Sequence, residues 1–182
     1  KTAGAGIYEG ISRIMKAQAF QFLVDVYGNV PYSQALKGTA IPTPAYDNGV
    51  DIYKSLFREL DSAIITLKSP AANIDKNPGI ATTDFVYGGN TTKWIKFANT
   101  LKLRLLVHAF RVTSINAAAE MAIINTEGTG FLGAGESAEI NPGFVSTKPT
   151  PYYRNFVQNE AGTATGNSVR ANEFAIGYYR SE

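Results

Sequence analysis

The sequence predicts a mainly helical protein, with four helices in two antiparallel pairs followed by a long loop-rich segment. Apolar residues recur at the three- and four-residue spacing of amphipathic helices over residues 7–126, and this spacing disappears over residues 127–182. Each helix has one apolar stripe, which it can bury only against a neighbouring helix. We therefore expect a single domain over residues 1–182, with a helical scaffold and then an irregular, ligand-facing region.

The composition excludes several classes of protein. The 182 residues are 45% hydrophobic, which suits a folded core, and no apolar run approaches the roughly 18 residues that cross a bilayer. The net charge is only +2 and the Lys and Arg residues do not cluster, so nucleic acid is not an expected partner. With no Cys and one His, disulfides, thiolate or His-rich metal sites and Cys nucleophiles are excluded, and we expect no metal or other cofactor.

The first two helices have clear ends. The first is predicted from Ile7 to about Tyr27, where a Gly and then a Pro stop the pattern. A polar, Pro-rich connection follows. Asp47 is a candidate N-cap for the second helix, whose apolar stripe ends at Ser69-Pro70.

The second helix pair follows a connecting loop. Residues 69–91 are rich in Gly, Pro and Asn and are predicted to be irregular. Asn90 or Thr91 can cap the third helix, which continues to about His108. A fourth helix, composed largely of Ala, is predicted over residues 115–125.

Few side chains of the helices suit catalysis. Glu59 and Asp61 lie two positions apart and point to different faces, so we predict a solvated helix face and not the facing carboxylates that glycoside hydrolysis requires. His108 is predicted to be a packed core residue. Asp25 should have a specific partner, either a backbone N–H of the following turn or a nearby Arg, and Arg104 should reach a buried carboxylate such as Asp25 or Asp84. We expect no enzymatic activity.

Three further signals favour structural roles. Residues 128–133 match the GxGxxG pattern of dinucleotide sites, but a helical pattern precedes them where a strand is required, so we predict a loop. Asn90 begins a glycosylation sequon, which matters only in a eukaryotic secretory pathway. Trp94 is predicted to anchor helix packing, with sugar stacking as the alternative.

The tyrosine pairs of the last third are the candidate ligand-binding residues. An aromatic ring stacks on the apolar face of a sugar, while the phenol keeps a polar group available. The glycan-binding candidates are Tyr152, Tyr153, Arg154, Tyr178 and Tyr179. The alternative is that each pair directs one Tyr inward and one outward where a loop meets the core. Both interpretations stay open.

Three segments together resemble the SusD-like (RagB/SusD) outer-membrane lipoproteins of Bacteroidota. They are FLVDVYGNVPYSQAL at 22–36, YDNGVDIYKSLFRELDSAI at 46–64 and DFVYGGNTTKWIKFANTLKLRLLVHA at 84–109. The resemblance covers residues 7–112 and continues more weakly to Tyr152-Tyr153. Tyr27, Tyr32 and Ala35 also have the spacing of tetratricopeptide repeats.

The resemblance implies tetratricopeptide-like antiparallel helix pairs, arranged as an α-α superhelix, with loops that carry the ligand site. It implies a lipid-anchored protein on the extracellular face of the outer membrane. Such a protein binds oligosaccharides or peptides, delivers them to a SusC-like TonB-dependent transporter, and is not an enzyme. The alternative is a tetratricopeptide-like scaffold that binds a protein or peptide on its concave face without direct sugar binding. Because family members are longer and begin with a lipidated Cys, we expect these residues to be an internal part of a longer chain.

Overall fold

The fold is known from a computed structural model, in which residues 5–140, 143–145, 147–159 and 161–165 are described. Within these ranges the chain forms helices and turns, and no residue belongs to a β-strand. The predicted mainly α fold is confirmed. The helices are α1 (Gly6–Tyr27), α2 (Gly49–Lys68), α3 (Ile80–Thr83), α4 (Thr91–His108), α5 (Ala117–Glu127) and α6 (Pro151–Phe156). The chain divides into two compact units, Lys1–Ala138 and Glu139–Glu182.

The helices α1 and α2 form an antiparallel pair. Near the start of α1, Arg13 donates a hydrogen bond of 2.9 Å to Glu59 in the second half of α2. Near the end of α1, Asp25 accepts a hydrogen bond from Tyr53 in the first half of α2. The predicted end of α1 is confirmed, since Gly28 follows its last residue with a φ of 74°, a conformation that glycine adopts without strain.

The predicted cap of α2 was wrong by one residue. Asn48 is the cap, because its side-chain oxygen accepts the Val50 N–H at 2.9 Å. Asp47 instead accepts the backbone N–H groups of Ser33 and Tyr32, together with the Ser33 hydroxyl. These bonds lower the pKa of Asp47 and fix the connection between α1 and α2.

The caps of the second pair follow the same chemistry. The Asn90 side chain accepts the Lys93 N–H at 3.0 Å, which confirms one of the two predicted caps of α4. Asn116 caps α5 through the Ala119 N–H. The helix α5 therefore begins and ends two residues later than predicted.

The helices α4 and α5 form the second antiparallel pair. Asn99 donates to Glu127 at 2.7 Å, whereas Lys102, one turn later on α4, lies 3.9 Å from Glu120, which comes earlier on α5. The Lys102 ammonium also donates to Asp61 of α2 at 2.5 Å. One buried Lys thus joins α4 to α2 and to α5.

The core of the first unit lies between α1, α2 and α4. Trp94 is 2% exposed and donates its indole N–H to Asp84 at 2.7 Å, which confirms its predicted role in helix packing. The connection over residues 69–91 is more ordered than predicted, because it contains two 3₁₀ turns and α3. The largest fully buried side chains are Trp94, Phe57, Lys102, Ile7, Ile14, Ile52, Leu56, Leu60, Ile80, Leu101, Leu105 and Ile124.

Among its described residues, the second unit contains a helix, α6, in the segment that was expected to be loop-rich. The Thr150 hydroxyl accepts the Tyr153 N–H at 3.0 Å and caps α6, and Pro151 occupies the first helical position. The helix α6 is followed by an isolated bridge between Gln158 and Ala164. The expectation of an irregular segment was therefore wrong over residues 151–156.

Candidate functional site

A cleft of about 450 Å³ lies in the second unit and contains one of the predicted tyrosines. Its described lining combines aromatic and aliphatic side chains with hydroxyl and amide groups, and none of those residues is charged. Such a surface suits a ligand that is itself uncharged and has both apolar and hydroxyl-bearing faces. The described lining residues are Phe144, Val145, Pro149, Thr150, Tyr153, Gln158, Asn159 and Gly162.

Short-range hydrogen bonds hold the polar groups of the cleft. The Tyr153 hydroxyl donates to the Gln158 side-chain oxygen at 3.2 Å, and the Gln158 amide donates to the Gly162 carbonyl. The Asn159 side-chain oxygen accepts the N–H groups of Ala161 and Thr163. No described residue accepts a hydrogen bond from the Asn159 NH₂ group, so this group remains a donor for a ligand.

The two neighbouring tyrosines of α6 have different surroundings. Tyr153 lines the cleft and is 43% exposed. Tyr152 does not belong to the described lining; it is 71% exposed, and its ring centroid lies 5.1 Å from that of Phe156. Of the predicted pair, Tyr153 therefore lies in the cleft, whereas Tyr152 forms an exposed aromatic pair with Phe156 on the same helix.

The other predicted contacts lie elsewhere or are not described. Arg154 is outside the described cleft lining, and its backbone carbonyl accepts the Thr165 hydroxyl at 2.8 Å. Tyr178 and Tyr179 lie outside the described residues.

Several residues of the cleft had no signal in the sequence. Phe144, Gln158 and Asn159 are single residues in irregular segments, where no periodicity marks a common surface. Only Thr150-Pro151 could have been recognised, as a cap followed by proline at the first helical position. That signal predicts α6 but not the cleft beside it.

Two polar residues that were singled out from the sequence, Asp25 and His108, meet Tyr53 in the first unit. Asp25 accepts the Tyr53 hydroxyl and lies 2.8 Å from His108 Nδ1. Burial raises the pKa of Tyr53, and its hydrogen bond to the Asp25 carboxylate raises it further. The prediction of a core His was wrong, because His108 is the last residue of α4 and its side chain is 42% exposed.

The predicted partners of Arg104 and of Asp25 were also wrong. Arg104 donates to Gln21 at 2.9 Å and makes no hydrogen bond to Asp25 or Asp84 among the described residues. The reason is geometric: Gln21 is a buried residue of α1 that faces α4, one turn before Asp25. Asp25 has a specific partner as expected, but the partners are the Tyr53 and His108 side chains.

The acidic residues Glu59 and Asp61 of α2 form ion pairs with neighbouring helices. Glu59 and Asp61 do point to different faces, as predicted, since one pairs with Arg13 of α1 and the other with Lys102 of α4. The prediction of a solvated face was wrong, because each of these two carboxylates lies against a charged side chain of a neighbouring helix. Among the residues that the structure describes, no three His, Asp or Glu side chains are placed to hold a metal ion.

The remaining motifs also have structural roles. Residues 128–133 form a loop, as predicted, and Gly128 ends α5 in the left-handed conformation. Asn90 caps α4. None of the described helices combines the length and apolarity that a membrane-spanning helix needs.

Known proteins of one family are similar to this chain in sequence and fold. A SusD-like family model, described as "Starch-binding associating with outer membrane", matches residues 1–177. A SusD/RagB family protein from Bacteroides thetaiotaomicron has 26% identity over 84% of this chain and 30% of its own chain, with a TM-score of 0.63. No curated protein gives a significant match.

Two further similar solved structures are of proteins named as chitin-binding. A chitin-binding protein has 31% identity over 76% of this chain and 28% of its own chain, with a TM-score of 0.63. A chitin-binding SusD homologue from Flavobacterium johnsoniae has 27% identity over 75% of this chain and 28% of its own, with a TM-score of 0.62. The chain thus spans less than a third of the length of these relatives. Because the family model covers almost the whole sequence and the helical fold agrees, the chain belongs to the SusD-like family.

Proposed function

We propose that the protein binds oligosaccharides at the cell surface and delivers them to a SusC-like TonB-dependent outer-membrane transporter. The family match carries this proposal, since the family is described as starch-binding and associated with the outer membrane. Two structural relatives that are named as chitin-binding support the same class of ligand. In this proposal a lipid anchor of the full-length protein holds it on the extracellular face of the outer membrane, and it has no catalytic step.

The cleft of the second unit is the proposed sugar site. The Tyr153 ring and the apolar side chains of Phe144 and Val145 offer surfaces for the C–H face of a pyranose ring. Thr150 offers a hydroxyl for the sugar hydroxyls, and Asn159 offers an NH₂ group that donates to none of the described residues. The volume of about 450 Å³ lies within the range of small-molecule sites.

The exposed aromatic pair beside the cleft extends this proposed surface. Tyr152 and Phe156 lie on the same helix as Tyr153 and remain open to solvent. Arg154, Tyr178 and Tyr179 remain proposed contacts from the sequence analysis. A longer oligosaccharide could use this pair while one sugar ring occupies the cleft.

Isothermal titration against a panel of starch-derived, chitin-derived and other oligosaccharides tests the proposal. We expect Tyr153→Ala and Tyr152→Ala each to weaken binding of the recognised glycan about 5- to 10-fold, which corresponds to roughly 1 kcal/mol of lost ring stacking. Tyr46→Ala is the matched control, because Tyr46 lies in the first unit and is 74% exposed, close to the 71% of Tyr152.

Two results would contradict different parts of the proposal. Absence of binding to every glycan by a protein with a native helical spectrum would refute the function. Unchanged affinity in both tyrosine variants would refute the site but leave the function. Delivery is tested separately, by co-purification of a large outer-membrane barrel with the full-length protein.

A further inference from the structure

The dipeptide Asn48-Gly49 lies where the connection from α1 enters α2, and Asn48 is exposed to solvent. Asparagine is a chemically labile residue. It is most labile before glycine, because glycine has no side chain to hinder attack by its own backbone nitrogen. No other Asn of the 182 residues precedes a Gly. In an unfolded chain, Asn48 would therefore be the position most prone to loss of its side-chain amide.

Two structural requirements produce this dipeptide. Asn48 is the cap of α2, since its side-chain oxygen accepts the Val50 N–H at 2.9 Å. Gly49 packs closely against the end of α1, where a Cβ atom would lie 3.2 Å from both the Gly28 carbonyl oxygen and the Val24 Cγ1. A larger residue at position 49 would push these neighbours away. The start of α2 thus needs a capping side chain followed by a residue without a side chain.

The reaction of an Asn-Gly pair begins at the glycine nitrogen. After losing its proton to water, the Gly49 nitrogen would attack the Asn48 Cγ. The new N–Cγ bond forms, the Cγ–Nδ2 bond breaks, and the amide leaves as ammonia after taking a proton from water. Water then opens the cyclic imide at either carbonyl and leaves aspartate or isoaspartate. The first step requires a Gly49 nitrogen that is free to lose its proton and to approach Cγ.

Hydrogen bonds engage both reacting groups in the folded protein. The Gly49 N–H donates to the side-chain oxygen of Asn29, two residues after the end of α1, at 2.9 Å. This bond stabilises the protonated nitrogen and opposes its movement towards Cγ. The Asn48 carboxamide is held in turn by the Val50 N–H. The packing of α1 against α2 therefore places a hydrogen-bond acceptor on the nucleophile.

We propose that Asn48-Gly49 is a latent deamidation site and that Asn29 keeps it unreactive by binding the Gly49 N–H. An isoaspartate product would insert an extra backbone atom at the cap, so the reaction would loosen the start of α2. The residues involved all lie in the first unit. This inference is independent of the proposed sugar binding.

Peptide mapping of the full-length gene product tests the proposal. Trypsin cleaves after Lys37 and Lys54 and releases residues 38–54, which contain Asn48 as their one Asn and no Gln. The mass increase that accompanies replacement of NH₂ by OH in this peptide therefore reports Asn48 alone. Because two hydrogen bonds oppose the reaction, we expect Asn48 to deamidate at least about 10-fold more slowly in native buffer than in urea.

Two variants of Asn29 identify the protecting group. Asn29→Ala removes the acceptor, and we expect it to raise the native deamidation rate of Asn48 about 5-fold, which corresponds to roughly 1 kcal/mol for one hydrogen bond. Asn29→Asp is the matched control, because its carboxylate still accepts the Gly49 N–H, and we expect it to keep the wild-type rate. In urea all three proteins should react equally fast.

Several results would overturn the proposal. Equal wild-type rates in native buffer and in urea would show that the fold does not protect Asn48. An unchanged native rate in Asn29→Ala, or an equal acceleration in Asn29→Asp, would show that the acceptor at position 29 is not the protecting group. If Asn29→Ala loses the native helical spectrum, hydrogen exchange of the wild-type Gly49 N–H replaces it. We expect slow exchange, and exchange as fast as in an unfolded peptide would overturn the proposal.

Discussion

Glu127, at the end of α5, joins three helices through a single carboxylate. It pairs with Lys68 of α2, accepts the Asn99 side chain of α4 at 2.7 Å and accepts the N–H and hydroxyl of Thr129. Burial alone would raise the pKa of Glu127, but the hydrogen bonds from Lys68, Thr129 and Asn99 outweigh burial and lower it to about 2. The charged form is therefore a part of the folded state.

Replacing this carboxylate should change the pH dependence of stability. The pKa of Glu127 rises from about 2 to its ordinary value of 4.5 on unfolding, so its stabilisation is complete above pH 4.5 and disappears as the pH falls towards 2. We expect Glu127→Gln to lower the free energy of unfolding by about 1–3 kcal/mol at pH 7, and by much less at pH 2.5. Urea unfolding at both pH values measures the difference.

An exposed glutamate provides the control for this measurement. Glu139→Gln replaces the carboxylate of an exposed residue, and it should change stability by less than about 0.5 kcal/mol at either pH. An equal loss at pH 7 and pH 2.5 in Glu127→Gln would show that the charge of Glu127 is not what stabilises the fold.

At the scale of elements, α1 and α2 make the most extensive contact between two of the described helices. Gly10 lies on the side of α1 that faces Leu67, and a Cβ atom at Gly10 would come within 2.5 Å of the Leu67 Cγ. Leu67 is itself 4% exposed, so it has little room to move. The close approach of the two helices therefore depends on a position without a side chain.

The variant Gly10→Ala has two opposite effects on stability. Alanine is favoured over glycine in a helix by about 1 kcal/mol, whereas overpacking a core contact costs about 1–3 kcal/mol. Because the overlap with Leu67 is severe, we expect a net loss of stability and a lower melting temperature by circular dichroism. Ser12→Ala, at an exposed position of the same helix, should be neutral or slightly stabilising. A rise in melting temperature in Gly10→Ala would mean that α1 and α2 can separate without loss.

At the scale of the whole molecule, the described core and the proposed sugar site lie in different units. The described core residues all lie between Ile7 and Ile124, inside the first unit. The second unit contains α6 and the cleft that we propose as the sugar site. The scaffold and the proposed binding surface are thus separate stretches of the chain.

Truncation after Ala138 tests this division. Because the core residues precede that position, we expect residues 1–138 to keep a cooperative, helical melting transition within about 10 °C of that of residues 1–182. We also expect the truncated chain to lose glycan binding. A non-cooperative transition would show that the first unit needs the second, and retained binding would move the sugar site to the first unit.

The sequence by itself determined the helices whose apolar residues repeat within a few positions. That local pattern predicts α1, α2 and α4 closely, and α5 to within two residues, because each turn of an amphipathic helix is specified by its own residues. The three motifs of the family resemblance overlap α1, α2 and α4, and they also include parts of the connections before α2 and before α4. The cap at Asn48 and the short helix α6 depended on single residues, which a periodic pattern does not detect.

Only the tertiary structure decided which distant residues meet. Asp25 and His108 are 83 positions apart, and Lys102 and Asp61 are 41 positions apart, yet each pair is in contact because α4 packs beside α1 and α2. The cleft likewise depends on how irregular segments return to α6, which brings Phe144 and Asn159 beside Tyr153. Side-chain partners in this protein follow from the packing of whole helices and loops, and no local spacing in the sequence encodes that packing.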